Sequence, residues 1–183
     1  MDEIVKAALA KWPNVPHCHG WLALDARGQW FMRDDRVQAA GAFPQVKGSH
    51  IEHDKLLAFI QRNYDHDADG CWYFQNGPQR VYVELEITPW IWRVEPDGHL
   101  TSHTGRSATF QQAYLDAQGR LYVNTDLGIG LVHTQDMHVA AELVQSSTWA
   151  PIDVDAATLP QHFGFEPSPQ RRLAPGVIPP TPA

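Results

Sequence analysis

Cysteine is scarce in this chain. It occurs twice, at Cys18 and Cys71, and two thiols so far apart make no disulfide framework. No run of about 18 apolar residues occurs, so no transmembrane helix is predicted. The opening stretch from Met1 to Trp12 carries Asp2, Glu3, Lys6 and Lys11 among its apolar residues. It reads as a short amphipathic helix rather than the basic-then-apolar pattern of a secretory signal, and the expected location is the cytoplasm. Positive charge is also in short supply: 14 Lys and Arg stand against 21 Asp and Glu, a net charge of −7 with histidine neutral. That balance repels phosphate backbones and anionic lipid surfaces, so neither nucleic acid nor membrane is an expected partner. Nucleophile and dinucleotide signatures are missing as well. There is no G-x-S-x-G elbow, and Gly128-Ile129-Gly130 lacks the third glycine and the helix of a dinucleotide fingerprint. Those glycines are read as permitting close backbone contact.

What is present points to a packed, aromatic, strand-rich molecule. Hydrophobic residues make up 43% of the 183 residues, with seven Trp, seven Phe and five Tyr, enough to bury a core. Strands are predicted for 21–24 and 29–33 around an Asp25-Ala26-Arg27-Gly28 turn, and for 71–75 and 80–87 around Asn76-Gly77-Pro78. In the last of these, Val81, Val83, Leu85 and Ile87 alternate with Tyr82, Glu84 and Glu86, which separates an apolar from a polar face. A helix is predicted from His50 onward, with Ser49 and Glu52 as a capping box and His53, Leu56, Leu57, Ile60 and Tyr64 as a buried stripe. Thr88-Pro89 breaks the chain into halves. Further hairpins follow at 90–103 and 110–124, then a helix over 134–145.

The segments Leu24–Met32 and Leu115–Val123 share an L-D-A-x-G turn followed by an aromatic strand. We read this as a hairpin-then-helix unit used twice. The predicted organisation is α+β: an N-terminal α+β half (1–88), a β-rich second half (89–166) and a proline-rich extended or disordered tail (167–183).

Three chemistries compete for the function. Asp65, Asp67, Asp69 and Gly70 match the opening of a calcium loop, but Asn76 stands where the bidentate glutamate belongs. His50 and His53 add imidazole ligands, and with these aspartates they form the candidate set for a metal-dependent enzyme. Cys18, flanked by His17 and His19, carries the weaker signal of an activated thiol. Against these stands a non-catalytic ligand-binding or regulatory module. In it Trp30, Arg33, Trp72, Gln75, Arg80 and Trp90 gather around a small anionic ligand where the halves join, with aromatic rings to stack and arginine to neutralise. A protein-interaction scaffold that uses sheet edges or the tail is the third reading.

Asp25, Gly28, Trp30 and Phe31, then Leu57 and Ile60 on a capped helix, then Asp69-Gly70-Cys71-Trp72-Tyr73-Phe74, then Thr88-Pro89-Trp90-Ile91 together resemble an uncharacterised proteobacterial family of unknown function. Leu121-Tyr122-Val123 and Ala141–Val144 resemble its later part. The resemblance implies a duplicated β-rich core, a second half like a pleckstrin-homology fold and a small-ligand pocket at the interface of the halves, used in signalling; it does not imply an enzyme. The chain departs from that family in its long spacing after Met32 and in Gln75–Arg80, which replaces a T-P-x-E-K run.

Overall fold

The computed structural model describes residues 1–172. The chain forms two compact units. The first comprises residues 1–25, 29–86 and the C-terminal segment from Phe165; the second comprises 26–28 and 87–164. Each unit is built on one mixed sheet, so the protein is α+β with two β-rich halves.

In the first unit the elements run α1 (Glu3–Lys11), β1 (Cys18–Leu24), β2 (Trp30–Met32), α2 (Asp35–Ala40), β3 (Ser49–His50), α3 (Asp54–Arg62), β4 (Tyr64–His66), β5 (Trp72–Asn76) and β6 (Gln79–Leu85). Their order across the sheet is β3-β2-β1-β6-β5-β4. The central pair, β1 and β6, is parallel, with Leu22 opposite Val83. On one face Leu22, Leu24, Trp30, Tyr64 and Val83 are buried in the core, with Val5 of α1 and Ile60 of α3 also buried. The other face carries the alternate residues Tyr73, Tyr82 and Glu84.

The second unit contains β7 (Trp90–Val94), β8 (Leu100–Ser102), β9 (Ser107–Ala108), β10 (Phe110–Leu115), β11 (Leu121–Thr125), β12 (Gly128–Val132), α4 (Met137–Gln145), β13 (Ile152–Asp153) and α5 (Leu159–Phe163). Its sheet order is β13-β10-β11-β12-β7-β8-β9, and β12 runs parallel to β7. Apart from β13, this is the order of the first sheet repeated, parallel centre included. The registers repeat too. Trp30–Met32 recurs 70 residues later as Leu100–Ser102, and Trp72–Asn76 recurs 49 residues later as Leu121–Thr125. Tyr73 opposite Tyr82 becomes Tyr122 opposite Leu131.

The duplication therefore lies in a different register from the hairpin-then-helix unit read from the sequence. Residues 24–32 form the β1–β2 turn, whereas 115–123 form β10–β11, which corresponds to β4–β5. The true counterpart of Asp25–Gly28 is Glu95–Gly98. In both turns the glycine takes a left-handed conformation, φ 75° and 83°, which a Cβ would strain. The two sequences look alike at 24–32 and 115–123 because an acidic residue three before a glycine suits any such turn. The units differ in what is inserted. Sixteen residues, 33–48, join β2 to β3, where four, 103–106, join β8 to β9; α3 separates β3 from β4, where Thr109 alone separates β9 from β10.

Two local expectations change. Ser49 and His50 do not start a helix; they pair with Met32 and Phe31 as β3. The helix starts at Asp54, and the exposed His53 is its N-cap, with Nδ1 accepting from the Leu56 N–H at 3.3 Å. Extended pairing to β2 takes up Ser49 and His50 in place of a helical turn, and Tyr64 leaves the helix to open β4. In the tail, residues 169–172 form a short 3-10 turn with Pro169 buried; the proline-rich segment 173–183 lies outside the described residues.

Gly130 shows why the second sheet needs glycine in the middle of β12. It lies opposite Trp90, and an added Cβ would stand 2.7 Å from both the Cβ and the carbonyl oxygen of Trp90 and would collide with Trp92 Nε1. Close approach of strand to indole, not phosphate binding, accounts for this G-x-G.

Candidate functional site

Of the six residues assigned to a ligand site, three are core. Trp30 and Trp72 flank Tyr64 with ring centres 5.3 and 4.7 Å away. They lie on the buried face because they alternate with Phe31 and Tyr73. Trp90 belongs to the second unit, where its Nε1 donates to Leu127 O at 2.8 Å and its ring stacks on Trp92. Arg33 is buried, at 2% exposure, and its guanidinium is spent on the chain: it donates to the carbonyls of Gly41 (2.7 Å), Val46 (3.3 Å) and Gly20 (3.5 Å). It fastens the 33–48 insertion onto β1. Gln75 and Arg80 remain. They sit opposite each other in the β5–β6 register and so share one face.

That face carries the most chemistry in the first unit. The hydroxyl of Tyr82 donates to Asp67 Oδ2 at 2.9 Å. The ring of His19 lies parallel to the Tyr82 ring, 4.5 Å away, and His17 approaches it edge-on at 5.9 Å. The Arg80 guanidinium sits 4.5 Å from the centre of the Tyr73 ring, and Tyr73 meets Tyr82 edge-on. Gln75 is buried, its Nε2 donates to Gly77 O, and its Oε1 has no hydrogen-bond partner among the described residues. Two sequence features build the arrangement. Alternation along β6 aims Arg80, Tyr82 and Glu84 to one side. A register shift in β1 between Cys18 and Leu22, with Gly20 at φ 78°, leaves His17 and His19 beside Tyr82.

The electrostatics suit binding better than nucleophilic attack. Burial, reinforced by the charge of Arg80, pulls the His17 imidazole below its ordinary pKa, and burial does the same to His19. Both rings are therefore neutral near pH 7, and Arg80 supplies the positive charge. Burial pushes both thiols, Cys18 and Cys71, upward, so they stay protonated.

Of the metal candidates only Asp67 reaches this face, and its carboxylate is taken up by Tyr82 and by its own turn. Asp67 Oδ1 accepts from the N–H groups of Asp69 and Cys71, both at 3.0 Å. In the second unit Asp116 Oδ1 likewise accepts from Gln118 and Arg120 N–H, while its Oδ2 takes the hydroxyl of Tyr122 on β11, where Asp67 takes that of Tyr82 on β6. The D-x-D-x-D-G run is thus one copy of a turn whose other copy, D-A-Q-G, lacks the second acid. Asp65 accepts from its neighbour His66 N–H, His50 pairs with Glu52, and His53 caps α3. Among the described residues no group of three or more His, Cys, Asp or Glu side chains is placed to hold a metal ion.

The second unit holds a cleft of about 520 Å³ between the Asp116–Gln118 turn and Asp153–Ala156. Its carboxylates are engaged in part: Asp116 is bound by Arg120 and Tyr122, and Asp155 caps the turn at Ala157. An apolar hollow of about 230 Å³ lies beside Met137, Ala141 and Val144.

Sequence reasoning missed that Tyr73 and Tyr82 adjoin Arg80 and that His19 and Asp67 gather on Tyr82. The usable signal was the alternation in 80–87, which already set Tyr82 and Glu84 on a polar face.

Residues 1–170 match the family described as "Protein of unknown function (DUF2946)", DUF2944. The chain belongs to this family. No curated protein matches it. Among solved structures it is similar to a DUF1285 family protein from Silicibacter pomeroyi DSS-3, at 16% identity and a TM-score of 0.49, over 78% of this chain and 85% of that one. It is also similar to a DUF1285 family protein from Shewanella baltica OS155, at 15% identity and a TM-score of 0.44, over 70% and 92%. No helix among the described residues is long and apolar enough to cross a membrane.

Proposed function

We propose that this DUF2944 domain is a non-catalytic cytoplasmic module that senses a small, ring-bearing anion of nucleotide type on the Tyr82 face of the first unit. The observation that carries the reading is the divergence between the two copies of one sheet. Arg80 and Tyr82 occupy the positions of Ile129 and Leu131, which are 2% and 4% exposed in the second unit. A sheet whose second copy packs aliphatic side chains has, in its first copy, gained a guanidinium, a phenol and two stacked or edge-on imidazoles. Rings that already stack on one another accept a further planar ring, and a guanidinium grips an anion. Two free thiols suit a reducing compartment.

The test is thermal stabilisation and titration calorimetry with adenosine monophosphate, related nucleotides and inorganic phosphate. A binder should raise the midpoint in a concentration-dependent way. Arg80→Ala and Tyr82→Leu should each weaken it tenfold or more. A panel with no stabilising member, or a binder indifferent to both substitutions, overturns the reading.

A further inference from the structure

The chain returns to the first unit only after the whole second unit has been made, and it returns in an unusual way. Residues 165–168 lie along the ends of β5 and β6 as an extended strap, and 169–172 close it with the short 3-10 turn. The Glu166 N–H donates to Gly70 O at 3.0 Å, the Leu85 N–H donates to Pro167 O at 2.8 Å, and Cys71 pairs with Glu166 as a parallel bridge. Phe165 and Pro169 are buried. The side chains then read the strap in detail. Glu84, only 5% exposed, accepts from the Ser168 hydroxyl and from the Gln170 N–H at 3.1 Å. Gln170 Nε2 donates to Gln38 Oε1 at 3.2 Å, and Arg172 reaches Asp69 O at 3.3 Å.

This is the anatomy of strand addition to a receptor: backbone ladder bonds for affinity, buried apolar anchors and a polar reader for specificity. A strap that served packing alone would not need a buried carboxylate, because an unpaired charge in that position is costly. Among the described residues both hydrogen bonds to Glu84 come from the strap, beside the charges of Arg33 and Arg171, so seating a serine and a following N–H satisfies the carboxylate's hydrogen bonding.

We propose that the first unit carries a peptide groove, that it recognises an extended segment with a serine between prolines, and that Phe165–Arg172 is its displaceable occupant in cis. The groove borders the Tyr82 face, since Glu84 and Tyr82 share one side of β6 and Cys71 packs with Tyr82 and bridges to Glu166, but the proposal does not rest on the ligand reading. A negative charge on residue 168 would face Glu84 and expel the strap, which leaves the groove open to the same sequence in trans.

The experiment uses the full chain and a fluorescein-labelled peptide of residues 165–172. Trypsin cleavage after Arg171 and Arg172 reports whether the strap is seated. The unsubstituted protein should resist cleavage there and bind the peptide poorly. Ser168→Glu should be cleaved faster and bind the peptide at least tenfold more tightly, and Ser168→Glu with Glu84→Ala should lose that gain. Gln170→Pro, which removes the N–H donor to Glu84 together with the side-chain bond to Gln38, should behave like Ser168→Glu, whereas Gln170→Ala, which removes the side-chain bond alone, should stay protected. A strap that stays protected in both Ser168→Glu and Gln170→Pro overturns the proposal. So does an opened strap whose groove binds no peptide, and so does loss of the near-ultraviolet spectrum in both, which would make the strap part of the fold.

Discussion

Arg33 and His103 occupy equivalent positions in the two units: the Arg33 N–H donates to Trp21 O and the His103 N–H to Ile91 O, each at 2.8 Å. The same site was filled with opposite electrostatic solutions. Arg33 keeps its charge by giving its protons to three carbonyls. Arg33→Met should cost about 2–4 kcal/mol in urea denaturation, because those buried acceptors lose a charged donor. His103 sheds its charge instead: burial pushes its imidazole from 6.5 down to about 3. The unfolded chain takes up a proton at this residue as pH falls below about 6.5, and the folded chain does not until about 3, so stability drops with falling pH across that window. Denaturation midpoints measured from pH 7 to pH 4 should show a slope of up to about 1.4 kcal/mol per pH unit from this residue. His103→Gln should flatten it; an unchanged slope would refute the assignment. From sequence, Arg33 looked like an anion site because a lone arginine among aromatics does so; only the 33–48 insertion, folded back over it, reveals which oxygens it serves.

Strands were easier to read than helix boundaries. The 80–87 alternation, the turns at 25–28 and 116–119 and the 71–75 strand all stand close to where the pattern put them, since a period of two with a glycine turn is a local signal. The helix from His50 failed for a non-local reason: pairing to β2 claims Ser49 and His50 first. The same non-local logic governs Gly130. Gly130→Ala asks β12 to accept a methyl group where the Trp90 backbone and the Trp92 ring already sit. The expected loss is about 1–3 kcal/mol, read as a lower thermal midpoint. Gly119→Ala is the contrasting case: an added Cβ there meets nothing within 4 Å, and the only penalty is its φ of 76°, so about 1 kcal/mol is expected.

For the whole molecule, charge and duplication give the large-scale statements. A net charge of −7 opposes any polyanion at long range, so the protein should pass unretained through heparin at pH 7 and moderate salt; retention would overturn that exclusion. A small anion at Arg80 would have to be held by local contacts against that background, and its affinity should fall as salt rises. The repeated order 3-2-1-6-5-4, the register offsets of 70 and 49 residues and the shared turn in which Asp67 and Asp116 each accept two backbone N–H groups fix the duplication.

The sequence by itself determined the class of fold, the absence of a disulfide framework, most strand positions and the polar face of β6, because composition, alternation and turn chemistry are local properties of the chain. Tertiary structure alone decided which strands are neighbours, and with it the true register of the repeat, the core role of Trp30, Trp72 and Trp90, the meeting of His19 with Tyr82, and the seating of Ser168 on Glu84. Parallel pairing of β1 with β6 and of β7 with β12 brings together residues dozens of positions apart, and no periodicity within either strand encodes its partner.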